Sequence, residues 1–521
     1  MSRFLLLLVF VLWKAVGPAD AAPVPPRLGV SVCLFLSAYL LIVLAMRLWS
    51  QRLVGRLDDQ NFHRSVRRFN QAIDGARIVI PVWFGVGMFL LGWPAAVERV
   101  LAPIDRWGLD LPGLTLGTLP ALLAWMGLWW SQYPADRALR EQSLGHRLDL
   151  DLPARAVPSL GSYFMINLRI QLLFTIVPVV LVFLVRDVFW LVLHPLAPKW
   201  DRDGPVEAAL SVPSALAILL VAPEILRRVV PTEPMPAGEL RGRLEALCDR
   251  HRLGFREILL WNTQGHIANA LVMGLHQRVR YILMSDLLLE TMTDEQIEAV
   301  FAHEIGHVQH RHLRWYLIFF VAMMLFAGGP ALAIQQQLQR VGLPGGRGLD
   351  LLMLVVGGAG FFALFGYLSR KFERQADVFA ARTLQRRLAG AVPAIDLTTM
   401  PASTGALATA LRATPRYSTA RIGTDSERDG LGVLEETSVG PYGAAIFSSA
   451  LRQVAMINNI PIAARSWCHG SIAQRIRFLN EISRDPELTR RFDRFMWGLY
   501  AAMIIAVVAA GAWTAAAIVS G

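Results

Sequence analysis

Cysteine is nearly missing from this chain: in 521 residues there are only Cys33, Cys248 and Cys468, far apart from one another. So scattered a set gives neither a disulfide framework nor a paired-thiolate metal site. Cys468 adjoins His469, but neighbouring side chains point apart, so it reads as structural. Lysine is as rare, confined to Lys14, Lys199 and Lys371. Charged residues make up only 17% of the chain, against roughly a quarter in soluble domains. The net charge of +11 is therefore arginine charge. It comes without an interleaved aromatic-basic patch or a known nucleic-acid module, so no nucleic-acid partner is expected. The arginine bias is compatible with a high-GC bacterial gene.

Apolar residues are what the chain has in excess. They reach 54%, with a mean hydropathy of +0.42. Runs long enough to span a bilayer occur at about 29–46, 78–97, 113–131, 168–190, 206–222, 315–335, 351–368 and 495–518. Any one could be a buried core helix, 206–222 most of all, but eight together exceed what a soluble core needs. Away from their ends the runs hold almost no ionisable residues, which counts against a transporter. The start of the chain differs. Arg3, the short run Phe4 to Trp13 and then Ala19-Asp20-Ala21 read as a signal peptide over 1–21, although Lys14 after the run is atypical and leaves an uncleaved leader open.

One short stretch carries chemistry: His303-Glu304-Ile305-Gly306-His307. Thr293 with Gln296 reads as a capping box, and Ile297, Val300, Phe301 and Ile305 recur at helical spacing, so the stretch is expected on a helix. There, histidines four apart share a face and can reach one tetrahedral Zn²⁺, with Glu304 beside them as general base. Gly306 costs the helix about 1 kcal/mol relative to alanine, which fits a close approach at that point. A zinc enzyme needs a third protein ligand and an open fourth position. Ser369-Arg370-Lys371-Phe372-Glu373-Arg374-Gln375-Ala376-Asp377 supplies a candidate in Glu373. Asp377, one turn later, could accept the second ring N–H of a ligating histidine. The same segment could otherwise be a charged helix leaving a membrane.

The HEIGH and SRKFERQAD pair resembles the M48 metallopeptidases, which include CAAX prenyl proteases and bacterial membrane quality-control proteases. The resemblance implies His303, His307 and Glu373 as ligands of one zinc per chain and Glu304 as the base. It extends to Asn269-Ala270 with Gly274, similar to the NAxxxG strand of that family, which implies Asn269 and Ala270 as substrate-facing. His469-Gly470-Ser471 with Arg475-Ile476 is similar to its HPxxxxRI element, with Gly where the family has Pro. His469 and Arg475 are thereby implied near the reacting carbonyl, although Arg475 could equally be a salt-bridge partner of Asp377. His310 and His312 read as membrane-interface side chains.

Charge then suggests an orientation. Segments 47–77 and 132–165 are rich in arginine and, by the positive-inside rule, cytoplasmic. Counting onward puts 223–314 and 369–494 on the same side, so the two motifs flank a hairpin and can meet. Glu239 to Leu253 reads as an amphipathic helix, and Glu257–Trp261, His266–Met273 and Arg278–Met284 as strands before the HEIGH helix. In such a zincin arrangement an exposed edge strand can pair with an extended peptide.

The expectation is a multi-span α-helical membrane protein with a zincin-like α+β metallopeptidase domain and a gluzincin-type HExxH…E site. Its parts are a leader 1–21, about five spans in 22–230, zincin segments 231–314 and 369–494, a hairpin 315–368, a flexible insertion near 389–445 and a last span in 495–521. The expected setting is a bacterial inner membrane with a cytoplasmic active site acting on peptides or proteins associated with the lipid bilayer. A catalytically inactive scaffold is the alternative. Oligomeric state is not legible.

Overall fold

In the computed structural model the chain is mostly helical, and the structure describes residues 2–15, 25–57, 62–105, 107–148, 157–196, 205–340, 347–389, 439–458 and 460–520. The expected leader junction at 19–21 and residues 390–438 of the expected insertion at 389–445 lie outside the described residues, while the end of that insertion is instead the start of the helix Pro441–Ile457. Among the described residues, five helices are long and apolar enough to cross a membrane: Leu28–Val54, Arg64–Phe89, Asp110–Gln142, Leu160–Leu193 and Pro486–Ala516. The first has 27 residues, about 40 Å of helix against a hydrocarbon core of roughly 30 Å. It leaves Leu34, Leu40, Leu41 and Leu44 exposed, and the last leaves Ile504, Ile505 and Val508. Faces of this kind suit lipid rather than water.

The helices do not follow the apolar runs residue for residue. The run at 78–97 is broken: one helix ends at Phe89 and another begins at Trp93, with Gly92 at φ +69° between them. The arginines Arg64, Arg67, Arg68 and Arg77 lie on the helix Phe62–Phe89. The runs at 206–222, 315–335 and 351–368 fall in helices Pro205–Val229, His312–Arg340 and Arg347–Ala389.

The chain divides into two compact units, Met1–Ile297 with Arg452–Cys468 and Glu298–Leu451 with His469–Gly521. In the first, helices Leu28–Val54, Phe62–Phe89 and Asp110–Leu148 pack together. Tyr39 and Trp83 on these helices, and Trp93 on the helix Trp93–Leu101, find backbone acceptors for their polar atoms. Trp83 Nε1 donates to the Phe35 carbonyl at 3.0 Å, Trp93 Nε1 to Gly117 at 2.7 Å and Tyr39 Oη to Ile80 at 3.3 Å. The short helix Ser2–Ala15 buries Leu5, Leu6, Val9 and Phe10.

The same unit holds a four-stranded sheet: β1 (Thr232–Pro234), β2 (Glu257–Trp261), β3 (Ala270–Met273) and β4 (Tyr281–Ser285), in the order β1-β2-β4-β3. β2 runs parallel to β4, and the two outer strands pair antiparallel. The three expected strands are present, with β3 shorter than read. β1 is additional, hidden in sequence by Pro231 and Pro234, which suit only an edge. Leu259, Trp261, Met273, Tyr281 and Leu283 join Ile166, Ile170, Leu226 and Val230 in one core, so the sheet lies on helical segments 160–173 and 205–229. Asn458 clamps the approach to β3, accepting from Ala268 N at 3.0 Å and donating to Ala268 O at 2.9 Å.

Asp286, buried just after β4, organises the loop between β2 and β3. It accepts from Thr263 N (3.1 Å), Thr263 Oγ1 (2.5 Å) and Gly265 N (3.1 Å). Burial alone would raise its pKa, but these donors outweigh it and hold the carboxyl below its ordinary value. A depressed folded pKa gives stability that is full above the unfolded value near 4 and lost as pH falls through the folded one. Asp286→Asn should therefore cost about 1–3 kcal/mol at neutral pH. The Tm gap between variant and wild type, followed in detergent, should shrink as pH falls below about 4; a constant gap would show that the charge is unimportant.

Candidate active site

The capping box forms: Gln296 N approaches Thr293 Oγ1 at 3.4 Å, and Thr293 N donates to Gln296 Oε1 at 3.2 Å. The helix Asp294–Gln309 that follows carries His303, Glu304 and His307. Glu373 and Asp377 come from the long helix Arg347–Ala389, and Arg475 from the helix Ile472–Ile482, capped by Ser471. His469 sits just before that cap. All seven belong to the second unit. Asn269 and Ala270 belong to the first, Asn269 exposed and Ala270 buried at the start of β3.

His303 Nε2 and His307 Nε2 are 3.2 Å apart, and each is 3.6 Å from a Glu373 carboxylate oxygen. Metal–ligand bonds of about 2.0–2.1 Å at tetrahedral angles put donor atoms roughly 3.3–3.4 Å apart. The three side chains therefore fit one face of a tetrahedral metal, and among the described residues they form the group able to hold one. Two imidazole nitrogens turned toward each other at this distance, with a carboxylate completing the triangle, are a donor set suited to a cation.

Around this triangle the charges are matched in detail. Asp377, with no exposed surface, lies 3.0 Å from His303 Nδ1. It accepts from Arg475 Nε at 2.8 Å and from Nη2 at 2.5 Å. The remaining Arg475 nitrogen reaches Glu373 at 3.1 Å, and His469 Nδ1 reaches it at 2.9 Å. Burial would push both carboxyls up, but the cationic partners prevail: His469 and Arg475 hold Glu373 well below the usual range, and Arg475 and His303 do the same for Asp377. Burial opposes charge on His303 too, yet Asp377 and Glu373 raise its pKa above the ordinary value. His307, half-buried beside His303, is pushed down to about 3 by desolvation and by His303, and is neutral at physiological pH. Glu304 is partly buried, and its charge adds to those favouring protonated Arg475.

Gly306 owes its place to a second helix. A Cβ there would meet Ala376 Cα at 3.1 Å and Phe379 Cβ at 3.2 Å. Glycine lets the helix carrying Glu373 come close enough for its carboxylate to reach both histidines.

Sequence reasoning missed His312. It is 1% exposed rather than at an interface, and its Nδ1 lies 2.8 Å from His307 Nδ1. Its Nε2 is 3.0 Å from Gln375 Oε1, which also accepts from Tyr500 Oη at 2.5 Å. The ring stacks on Phe372 at 4.3 Å with 4° between planes. The chain His307–His312–Gln375–Tyr500 fixes the tautomer of His307 with Nε2 directed at the triangle. The spacing of five from His307 gave no signal, because the geometry depends on Arg311 turning left-handed at φ +56°. His310 instead packs edge-on against Phe379, and burial lowers its pKa to about 4.

Two helix-borne histidines, an adjoining glutamate and a carboxylate from another helix define a metallopeptidase-type centre. Residues 234–487, which contain it, match the family described as Peptidase family M48. Among curated proteins it is similar to a CAAX prenyl protease 1 homolog of Arabidopsis thaliana, 27% identical over 29% of this chain and 38% of the relative. A Protease HtpX homolog of Aeropyrum pernix is 29% identical over 34% of this chain and 60% of the relative. The CAAX prenyl protease 1 of Saccharomyces cerevisiae is 30% identical over 21% and 25%. The matches thus span less than two thirds of each of these relatives. A crystal structure of S. mikatae Ste24p aligns with 85% of this chain and 97% of its own at 17% identity and a TM-score of 0.46.

The His312 contact yields a direct expectation. His312→Phe keeps the stack on Phe372 but removes the partner of His307 Nδ1. Metal affinity, read by competition with a chromophoric chelator, should fall about 10–100-fold; unchanged affinity would mean that His312 only fills space.

Proposed function

We propose that this chain is an integral membrane zinc-dependent endopeptidase, with His303, His307 and Glu373 as the zinc ligands and Glu304 as general base. The observation that carries the reading is the triangle of donor atoms at 3.2–3.6 Å beside Glu304. Zinc held there would supply Lewis acidity to a water and to a peptide carbonyl. Glu304 takes the proton as water attacks the carbonyl carbon and returns it to the departing amine nitrogen. His469, largely exposed beside Glu373, donates to the developing oxyanion. Arg475 is 8% exposed and committed to Asp377 and Glu373. It serves as a positioning residue that holds the third ligand.

β3 is an edge strand, and an extended peptide adding to it would be met by Asn269 and Ala270. The substrates in this reading are membrane or membrane-associated proteins, in keeping with the spans and with the proteases to which the domain is similar. The arginine-rich ends of Leu28–Val54, Phe62–Phe89 and Asp110–Leu148 favour the cytoplasmic side of a plasma membrane for those ends.

The test compares wild type with Glu304→Gln by mass-spectrometric mapping of new protein termini in membranes. Both proteins should hold one zinc, and termini specific to wild type should fall about 10²–10⁴-fold in the variant. Identical termini from two zinc-loaded proteins would sink the protease reading in favour of a scaffold. In a second measurement, chelation should abolish cleavage by the purified full chain and added zinc should restore it; cleavage that persists in a chain assayed free of zinc would exclude metal dependence.

A further inference from the structure

The first unit holds a cavity of about 520 Å³ that the peptidase chemistry does not use. It lies among three candidate spans, Arg64–Phe89, Asp110–Gln142 and Leu160–Leu193. Ile73 and Arg77 come from the first, Gln132 and Arg140 from the second and Tyr163 from the third, with the loops at 266–267 and 460–467 completing the wall. Its size is that of a small-molecule site rather than a packing defect.

The lining is unusual in its charge. Arg77, Arg140 and Arg465 face Asp74 and Asp136, so guanidinium groups exceed carboxylates by one. Arg140 is paired to Asp136 at 2.7 Å, while Arg77 stands 3.7 Å from Asp74, a long and incomplete pairing. Arg465 is exposed and makes no ion pair among the described residues. Two further lining side chains carry buried polar atoms without partners: Gln132 Oε1, on a residue 3% exposed, and His266 Nε2, on a residue 7% exposed. Gln132 spends its amide N–H on Tyr163 Oη at 2.8 Å, which leaves Oε1 as an acceptor for a donor such as a headgroup hydroxyl rather than for the phosphate oxygens. Polar atoms this deeply buried are ordinarily satisfied, and when they line a cavity the missing partner is a ligand or water. Burial and the field of Arg140 keep His266 neutral, with a pKa of about 4, so its Nε2 can donate to an anion without bringing charge.

Beside the polar Asn70, Asn167 and Ser466, the wall also has apolar side chains, Phe69, Ile73, Ile166 and Ile460. A small inorganic anion would need none of these. We propose that this cavity binds the phosphate of an anionic phospholipid headgroup, with Arg77, Arg140 and Arg465 around the phosphate and the apolar side chains against the glycerol and first acyl carbons. Guanidinium is the side chain of choice for phosphate because its planar fork of donors matches two oxygens at once. Arg140 and Tyr163 lie at the ends of their candidate spans, the level at which headgroups lie. This site is independent of catalysis at the His303 centre.

The test uses the full-length chain, purified in mild detergent and delipidated. Phosphatidylglycerol, phosphatidylethanolamine and inorganic phosphate are offered separately and in competition, and bound mass is read by native mass spectrometry. One phosphatidylglycerol per chain should be retained, about tenfold more tightly than phosphatidylethanolamine. Arg465→Gln and Gln132→Leu should each weaken that retention several-fold, while Arg484→Gln, an exposed arginine elsewhere, should not. Circular dichroism of each variant separates lost binding from lost folding. Equal retention of the two lipids, retention indifferent to Arg465→Gln and Gln132→Leu, or displacement of the lipid by millimolar inorganic phosphate would each overturn the proposal.

Discussion

A carboxylate with no exposed surface cannot stand alone, and Asp377 is such a group. An unpaired charge at that depth would cost several kcal/mol, so its position exists only where Arg475 can reach it with two donors. That requirement ties the helix Arg347–Ala389 to the helix Ile472–Ile482, and the third nitrogen of the same guanidinium fixes Glu373. Pairs of this kind add little net stability compared with an apolar core, but they tolerate few geometries. Here the permitted geometry is the one that points Glu373 at the two histidines.

The charges of this cluster also say what it is suited to hold. Glu373 and Asp377 contribute two negative charges within it, and Arg475 answers one. The elevated pKa of His303 shows the cluster drawing in further positive charge, while His307 beside it stays neutral with a lone pair directed inward. A divalent cation held where the three donor atoms converge would supply that charge. His469, the one member largely exposed, gives the cluster its contact with solvent.

How much of this the sequence carried depends on the range of each interaction. Local rules worked: the capping box at Thr293 and Gln296, strand β2 at its full length and the sharing of one helix face by His303 and His307 follow from spacings of three to five residues. Long-range pairs were named but not resolved. Arg475 was legible as either a reaction partner or a salt-bridge partner of Asp377, and only the folded chain shows it bound to Asp377 and Glu373 together. Gly306 reads as a point of close approach, and the approaching body, which its sequence does not name, is the backbone of Ala376. The break at Gly92 was lost inside a continuous apolar run because hydropathy carries no dihedral information. There, a Cβ would stand 2.5 Å from the Pro25 ring, so a positive φ and close packing both demand glycine. β1 escaped because edge strands need few donors and can be proline-flanked.

The helix Arg347–Ala389 gathers these constraints onto one rigid element. It supplies Glu373, the third member of the donor triangle, and orients both histidines. Asp377 faces His303 directly, and Gln375 acts on His307 through His312. Residues two and four positions apart thus serve opposite sides of the same centre. Its packing leaves little freedom to slide. Gly306 seats against Ala376, and a Cβ at Gly443 would come within 2.0 Å of the Ala381 carbonyl oxygen. A shift of this helix by one turn would move the ligand by about 5.4 Å and break the Asp377 and Gln375 contacts together. The site is therefore built to be whole or absent. Since Tyr500 of the candidate span Pro486–Ala516 also bonds Gln375, a membrane-crossing helix takes part in holding that register.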